Sequence, residues 1–552
     1  MTELLTSAQM RAIEAAAIAS GEVTGLELME RAGRGVVEAV FEEWPELRAG
    51  SFRAVVLCGP GGNGGDGFVV ARLLKEWGWE VEVFLYGDPE RMPPDARVNY
   101  ERWRGIGEVK AAEAFAPWDT DAQVYFDALF GTGLSRRAEG VSAIAAKALE
   151  DSARNHRARL VAVDVPSGLC SDSGRFLGRD YWFAADLTVT FQCLKRAHTL
   201  AEGPSACGNV RLVDIGIDRH LLRTALMGTY DPAKGRKLDK AAVVRRIDRD
   251  VYTPEFLGTT SILAKGTPGK DGSVHKFTYG HALILSGGVG QGGAARMAAR
   301  GALRIGAGLV TLGCPHEALP ENAARLDAVM LRPVHNKSEL RKVLEDGRIN
   351  ALCLGPGMGI ARAKGLVAVA LEASRSRVGP GTARELGVVL DADALTALSQ
   401  DPVLFALLHA GCVLTPHGGE FARLFPDIAA RLEAPALVGP AYSKVDACRE
   451  AAARAGCVVL FKGADTVIAD PEGRCSINSA AYERAAPWLA TAGSGDVLAG
   501  FICGLLARGF GPFEAACTAA WLHVECARSF GPGLIAEDLP EELPKVFRAL
   551  GV

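Results

Sequence analysis

Between Leu489 and Gly500 the chain reads Leu-Ala-Thr-Ala-Gly-Ser-Gly-Asp-Val-Leu-Ala-Gly. Gly493 and Gly495 allow backbone N–H groups to turn toward one point, and the apolar helix expected after them adds the positive end of its dipole. An oxyanion or phosphate is the natural guest of such a loop. Asp496, at the start of that helix, is a poor phosphate ligand. It reads either as a general base that takes a proton from a hydroxyl while the loop steadies a migrating phosphoryl group, or as a helix N-cap after a flexible turn. The segment alone leaves both readings open.

A second constellation lies far upstream. The apolar run Ala54 to Cys58 leads into Gly59-Pro-Gly-Gly-Asn-Gly-Gly-Asp-Gly67, and a helix is expected from Phe68. Strand, glycine loop and helix form a phosphate or dinucleotide cradle, although the spacing is not Gly-x-Gly-x-x-Gly. Two further strand ends carry Asp127, before Ala-Leu-Phe-Gly-Thr-Gly, and Asp164, before Val-Pro-Ser167-Gly168. Ligands of an open parallel sheet sit at the carboxyl ends of its strands, so Asn63, Asp127, Asp164 and Ser167 are expected to converge. Such hard oxygen donors suit an alkali or alkaline-earth cation and ribose hydroxyls, and three polar strand ends in order argue against simple turn caps. In the later half, Lys462-Gly-Ala-Asp-Thr466 follows the apolar run Val458 to Phe461 and offers one cation and a turn to a nucleotide's phosphates or ribose. His417 sits at a strand end in Thr-Pro-His-Gly-Gly-Glu, where a role facing a ligand is preferred over a structural one. Asp391 and Asp393 either orient that site or cap the next helix.

The elements that must hold these groups follow from periodicity. Two helical segments precede short β-branched runs at Ala54 to Cys58, Glu80 to Leu85, Gln123 to Asp127, Leu160 to Asp164 and Asp186 to Phe191, alternating with helices as in a parallel α/β sheet. A charged, turn-rich stretch follows, and the linker is placed near residues 226 to 240. A second alternation runs through His281 to Ser286, Leu309 to Leu312, Ala351 to Leu354, Gly387 to Asp391, Cys412 to Thr415 and Val458 to Lys462. With 552 residues and 49% apolar composition the chain can fill two or more cores. A net charge of -4 without a long basic run excludes nucleic acid as the main partner. No apolar stretch is long enough to suggest a membrane span. The start reads as a helix, not a secretory leader, and the thirteen scattered cysteines read as core residues of a cytoplasmic protein.

Gly-Gly-Asn-Gly-Gly-Asp-Gly, Phe-Asp-Ala-Leu-Phe-Gly-Thr-Gly and Asp-Val-Pro-Ser-Gly together resemble the NAD(P)H-hydrate epimerase domain. The resemblance covers residues 1–225 and implies a Rossmann-like three-layer α/β/α fold. It implies potassium ligands at Asn63, Asp127 and Ser167, and Asp164 as the proton-transferring group. Substrate contacts would come from Gly62, Asn63, Gly64, Gly65 and Asp66, from Gly131, Thr132, Gly133, Leu134, Ser135, Arg136 and Arg137, and from Asp164. The family's first loop Asn is replaced here by Gly62.

Residues 275–552 are similar to the partner enzyme, nucleotide-dependent NAD(P)H-hydrate dehydratase, which has a ribokinase-like α/β fold; residues 226–274 would be linker and irregular insert. The matching pieces are Gly293-Ala294, Ala302 to Val310, Leu354-Gly-Pro-Gly-Met-Gly359, Leu390 to Leu395, Leu414 to Glu420, Phe461 to Thr466 and Ala492 to Asp496. The family's His-Lys-Gly element departs here to His275-Lys276-Phe277. The resemblance implies that Ala294, Gly357, Gly359, His417 and Asp496 touch the hydrated nicotinamide nucleotide. Lys462, Gly463, Ala464, Asp465, Thr466 and Gly495 would hold ADP, used with Mg2+. NADHX, NADPHX and ADP are then the small-molecule partners, and a homo-oligomer is expected. The alternatives are a ribokinase-type vitamin-precursor kinase in the second half and a non-catalytic nucleotide-binding module in the first.

Overall fold

The computed structural model describes residues 3–115, 122–137, 158–178, 184–217, 244–247, 276–377 and 385–551. The linker expected near 226–240 and the stretch Thr259 to Val274 lie outside them. The chain divides into two units, one formed by residues 3–244 with 433–444 and the other by 245–432 with 445–552.

In the first unit two helices precede the sheet, Ser7–Ala19 and Gly25–Glu43. Each is started by a capping box, Thr6 with Gln9 and Thr24 with Glu27, which satisfies the first free amides reciprocally. The sheet is parallel throughout and runs, in space, Val109–Ala111, Glu80–Leu85, Arg53–Cys58, Val124–Ala128, Arg159–Val163, Leu187–Phe191, Asn209–Val213. The strands Val124–Ala128 and Leu187–Phe191 are buried from end to end, their few polar groups included. The chain starts at Arg53–Cys58, builds outward on one side, then returns to lay Val124–Ala128 against the other side of that strand. Where the direction reverses, the carboxyl ends of these two strands open a crevice.

The second unit has a larger sheet with the same logic. It runs Cys475–Ser479, Asp465–Ala469, Val458–Phe461, Cys412–Leu414, Gly387–Leu390, Ala351–Leu354, His281–Leu285, Leu309–Cys314, Met330–Pro333. Pairing is parallel from Val458–Phe461 to Met330–Pro333, and antiparallel in the two strands beyond Val458–Phe461. The mainly parallel order fits the ribokinase-like expectation. Its reversal lies between His281–Leu285 and Ala351–Leu354. Against it packs the helix Ser494–Ala507, from which Val497 through Ala507 are all buried. All thirteen cysteines are buried and none forms a disulfide.

Candidate active sites

The glycine segment of the first unit is itself helical. The helix expected from Phe68 begins at Gly62 and runs to Glu76, so Asn63 and Asp66 lie in its first turns. Close approach explains why glycine overrides its poor helix propensity there. A Cβ on Gly64 would stand 1.9 Å from the Gly59 carbonyl oxygen, and one on Gly59 1.7 Å from that of Leu129. Gly62, by contrast, faces open space.

At the next strand end Asp127 is buried and fully engaged. Its Oδ1 accepts from the Ser167 hydroxyl at 2.6 Å and the Leu129 amide at 3.2 Å, and its Oδ2 from the Ser167 amide at 2.7 Å. Burial pushes this carboxyl up to about 6 against those bonds. Asn63 keeps a buried amide nitrogen without a hydrogen-bond partner. The unmet Asn63 group is an N–H donor and is no cation ligand; what would suit a large monovalent cation such as potassium is the chemistry of the oxygens these three side chains carry, one carboxylate, one hydroxyl and one amide carbonyl, with a single charge among them. Among the described residues no group of three His, Cys, Asp or Glu side chains is gathered for another metal.

Asp164 stands on the following strand end with φ 70°, a left-handed conformation that costs a non-glycine residue about 1 kcal/mol or more. Its amide donates to the Val189 carbonyl at 2.7 Å, and its own carbonyl accepts from His198 Nε2 at 3.0 Å. Its Oδ1 accepts from Lys195 Nζ at 2.6 Å and Thr190 Oγ1 at 2.9 Å. Oδ2 accepts a long bond from the Thr132 amide, 3.4 Å, in the loop Gly131 to Arg137. Burial acts to raise this carboxyl, but the Lys195 ammonium outweighs it and holds it below its usual value. A Cβ on Gly131 would lie 2.9 Å from Asn63 Oδ1 and 3.3 Å from Asp164 Oδ2, so these three residues face one small space. Arg136 is exposed and Arg137 half-buried at the far end of the same loop.

In the second unit a cavity of about 750 Å³ opens at the ends of Gly387–Leu390, Cys412–Leu414 and Val458–Phe461. His417, Lys462, Gly463, Ala464, Thr466, Gly495 and Asp496 line it, with Asp391, Glu420, Asn478 and His523. Asp465, Ala294, Gly357 and Gly359 do not. Asp465 opens the next strand, while Gly357 and Ala294 meet at the sheet's reversal, where a Cβ on Gly357 would lie 3.5 Å from that of Ala294.

Lys462 is the electrostatic centre of the cavity. Its Nζ is 2.9 Å from Asp391 Oδ1 and 3.7 Å from Glu420 Oε2. Burial works to lower this ammonium's pKa, but the two carboxylates outweigh it and raise it. Asp391 occupies the cap position of Ala392–Ser399 without capping it, and accepts instead from Lys462 and from Thr415 Oγ1 at 2.8 Å. Asp393 accepts from the Gly359 amide at 2.8 Å. The choice left open by sequence therefore falls toward orientation for both acids.

Gly493, with φ 88°, is the cap position of Ser494–Ala507, and Asp496 is the helix's third residue without a capping bond. The N-cap reading of Asp496 is thereby corrected. Burial first, then Asp391, pushes its carboxyl up to about 6 against the pull of Lys462. A carboxyl poised there, beside free helix amides and an ammonium, can take a proton from a hydroxyl while the amides meet an anion. His523 Nε2 donates to the Ser494 carbonyl at 2.9 Å, and burial holds this imidazole neutral, with its pKa lowered to about 4. His417 caps the short helix Gly418–Leu424 through Nδ1, which accepts from the Gly419 amide at 3.0 Å, leaving its ring more than half exposed at the cavity. Its capping role is thus seen directly, and its ring lines the cavity where a ligand-facing role was expected.

Residues 282–545 match the family model for NAD(P)H-hydrate dehydratase, and residues 25–197 match that of the YjeF-related protein N-terminus. The bifunctional NAD(P)H-hydrate repair enzyme Nnr of Moorella thermoacetica is 34% identical, with 99% of this chain and 97% of that protein aligned. The chain belongs to the family of bifunctional NAD(P)H-hydrate repair enzymes. The NAD(P)H-hydrate epimerase of Roseobacter litoralis is 47% identical over 39% of this chain and all of its own length. A solved ADP/ATP-dependent NAD(P)H-hydrate dehydratase of Bacillus subtilis, co-crystallised with ATP/Mg2+, is 27% identical; the match covers 54% of this chain and 98% of that one, with TM-score 0.40.

In this member of the NAD(P)H-hydrate repair family several site groups were not singled out from sequence. Glu420, Asn478 and His523 reach the dehydratase cavity from a capping position, a late strand and a buried helix. Lys195 had a readable signal, a Lys-Arg pair four residues past the β-branched run Leu187 to Phe191.

Proposed function

We propose that the chain repairs hydrated NADH and NADPH at two sites, the first unit interconverting the R and S forms at C6 and the second dehydrating the S form. The proposal for the second site is carried by the seating of Asp496, a raised carboxyl in the first turn of a helix beside Lys462. Asp496 takes the proton of the C6 hydroxyl, and that oxygen accepts the terminal phosphoryl of ADP, releasing AMP. The amides of Gly493 and Gly495 and the Lys462 ammonium meet the negative charge carried across. The ring nitrogen then expels phosphate from C6, and loss of a proton from the neighbouring carbon restores the dihydronicotinamide. The nucleotide's phosphates or ribose fall to Lys462, Gly463, Ala464 and Thr466. Magnesium would arrive with ADP and offset its phosphate charge.

In the first unit Asp164 moves the proton on which exchange at the hydroxyl-bearing carbon depends, with the first turns of Gly62–Glu76 and the Gly131 to Arg137 loop holding the nucleotide. Potassium, held by Asn63, Asp127 and Ser167, would supply a fixed positive charge to the bound nucleotide. The two activities belong together chemically, because a dehydratase selective for one C6 epimer strands the other unless an epimerase returns it.

The test is recovery of reduced-nicotinamide absorbance from a mixture of both NADHX epimers with ADP, with ATP and with neither. Full recovery with ADP is expected. Arrest at one epimer would remove the epimerase, and a stable phosphorylated product in place of NADH would replace the dehydratase by a kinase.

A further inference from the structure

Lys195 is an unusual residue for its place. Its side chain is 1% exposed, in a buried segment that also holds Gln192, Arg196 and His198. Burying an ammonium is costly unless every hydrogen finds an acceptor, and here each of the three does. They go to Asp164 Oδ1 at 2.6 Å, Thr190 Oγ1 at 2.8 Å and the Phe191 carbonyl at 3.1 Å. The Lys195 amide is fixed as well, donating to His198 Nδ1 at 3.0 Å, while the other ring nitrogen of His198 donates to the Asp164 carbonyl at 3.0 Å. Lysine, imidazole and aspartate thus form a closed ring that locks both the backbone and one carboxylate oxygen of Asp164.

The lock is one-sided. Oδ1 is saturated by Lys195 and Thr190, whereas among the described residues Oδ2 has only the long 3.4 Å bond from the Thr132 amide and faces the space shared with Gly131 and Asn63. We propose that Lys195 is a positioning residue for epimerisation, holding Asp164 by Oδ1 so that Oδ2 is directed at the substrate loop Gly131 to Gly133. The inference rests on Asp164 being the proton-transferring group.

The neighbours of Asp164 leave this task to Lys195. The groups facing it are Glu14 from the helix Ser7–Ala19, Asp66 from Gly62–Glu76, and His198 from the turn after Lys195. Burial raises both carboxyls, well above the usual range for Asp66, and lowers the imidazole to about 4, so none of the three brings a permanent positive charge. A structural ion pair alone would not require the second oxygen to remain underbonded at a glycine loop.

The experiment uses the full chain with purified R epimer and no nucleotide, so that the dehydratase is idle, and follows appearance of the S epimer chromatographically across pH. For Lys195→Met, kcat for epimerisation is expected to fall about 100-fold with KM within about threefold, and the acid limb of kcat/KM to move up by about one pH unit or more. Thr190→Val, a milder cut in the same ring, should lower kcat about tenfold and move the limb in the same direction. Dehydration of the S epimer with ADP reports only the second unit and should be unchanged, so folding of the first unit is followed separately by denaturant titration of the same preparations, and the kcat comparison is made where that unit remains folded. Wild-type kcat and an unmoved acid limb in Lys195→Met or in Thr190→Val would overturn the positioning role. Unchanged epimerisation in Asp164→Asn would instead overturn the reading of Asp164 itself.

Discussion

Replacing Lys462 by Met is the sharpest test of how the dehydratase cavity works, because methionine keeps an unbranched stem of nearly the same length and removes the ammonium with its charge and its hydrogen bond to Asp391. In the wild type one ammonium stands 2.9 Å from Asp391 and 3.7 Å from Glu420, and it opposes the rise of Asp496. Two unit charges about 4 Å apart interact by about 4 kcal/mol at an effective dielectric of ~20. The Lys462 side chain is 19% exposed, so solvent relieves part of the loss. We expect about 2 kcal/mol of lost stability, below the ~3–5 kcal/mol of a fully buried broken pair. The catalytic effect is larger and has a direction. Without the cation, three carboxyls share one cavity, and Asp496, already at about 6, must rise further. A rise of one pH unit corresponds to about 1.4 kcal/mol, so the acid limb of dehydration should move from about 6 to about 7 or higher. The phosphoryl group would also lose its cation, for a further drop of about 10²–10³ in kcat. The assay is NADH formation from S-NADHX and ADP between pH 5 and 9, with thermal unfolding alongside, these limits spanning about one unit or more on each side of the expected limbs. A variant with an unmoved acid limb and kcat/KM within about threefold of wild type would refute the reasoning.

Asp496→Asn should lower dehydration by about 10²–10⁴ and leave epimerisation intact. Because burial raises that carboxyl from 3.8 to about 6, its ionised form opposes folding at neutral pH, so the same variant should melt higher, by up to about 3 kcal/mol in stability. Gly64→Ala, whose Cβ would meet a backbone oxygen at 1.9 Å, should destabilise the first unit by about 3 kcal/mol and abolish epimerisation. Gly62→Ala faces open space and should stabilise by about 0.5–1 kcal/mol, both measured by denaturant titration. His281 and His523 are lowered from 6.5 to about 4 by burial, so the stability of their neutral forms is present above pH 6.5 and is lost as pH falls toward 4. Each should account for up to about 3 kcal/mol of that acid loss, and His523→Gln should flatten the fall of melting temperature over this window.

Ala351–Leu354 was legible because a buried parallel strand has a continuous apolar signature, and Glu80–Leu85 because its valines alternate with glutamates before an apolar end; both carry the bounds read from sequence. What periodicity hid was decided by packing. Gly62 to Gly67 reads as a loop from propensity, yet forms the opening turns of a helix because only glycine can pass so close to Gly59 and Ala128. The edge strands Val109–Ala111 and Met330–Pro333 are short and partly exposed, with little apolar pattern to read. Asp164 and Asp496 were visible as polar groups at element ends. The residues that tune them, Lys195, Thr190, Glu420 and His523, come from distant sequence or buried faces, where a single polar letter among apolar ones shows burial but not its partner.

All thirteen cysteines are buried, which screens the enzyme's sulfur from solvent. Burial raises the thiols of Cys58, Cys353, Cys457, Cys517 and Cys526 well above their usual value and that of Cys412 to about 12. Thiolate is the species that peroxides and alkylating agents attack, and it is scarce wherever the thiol is raised and screened from solvent. A catalyst that restores damaged reducing cofactors therefore keeps its own sulfur out of the oxidant's reach, and its cysteines become reactive when the cores that hold them open.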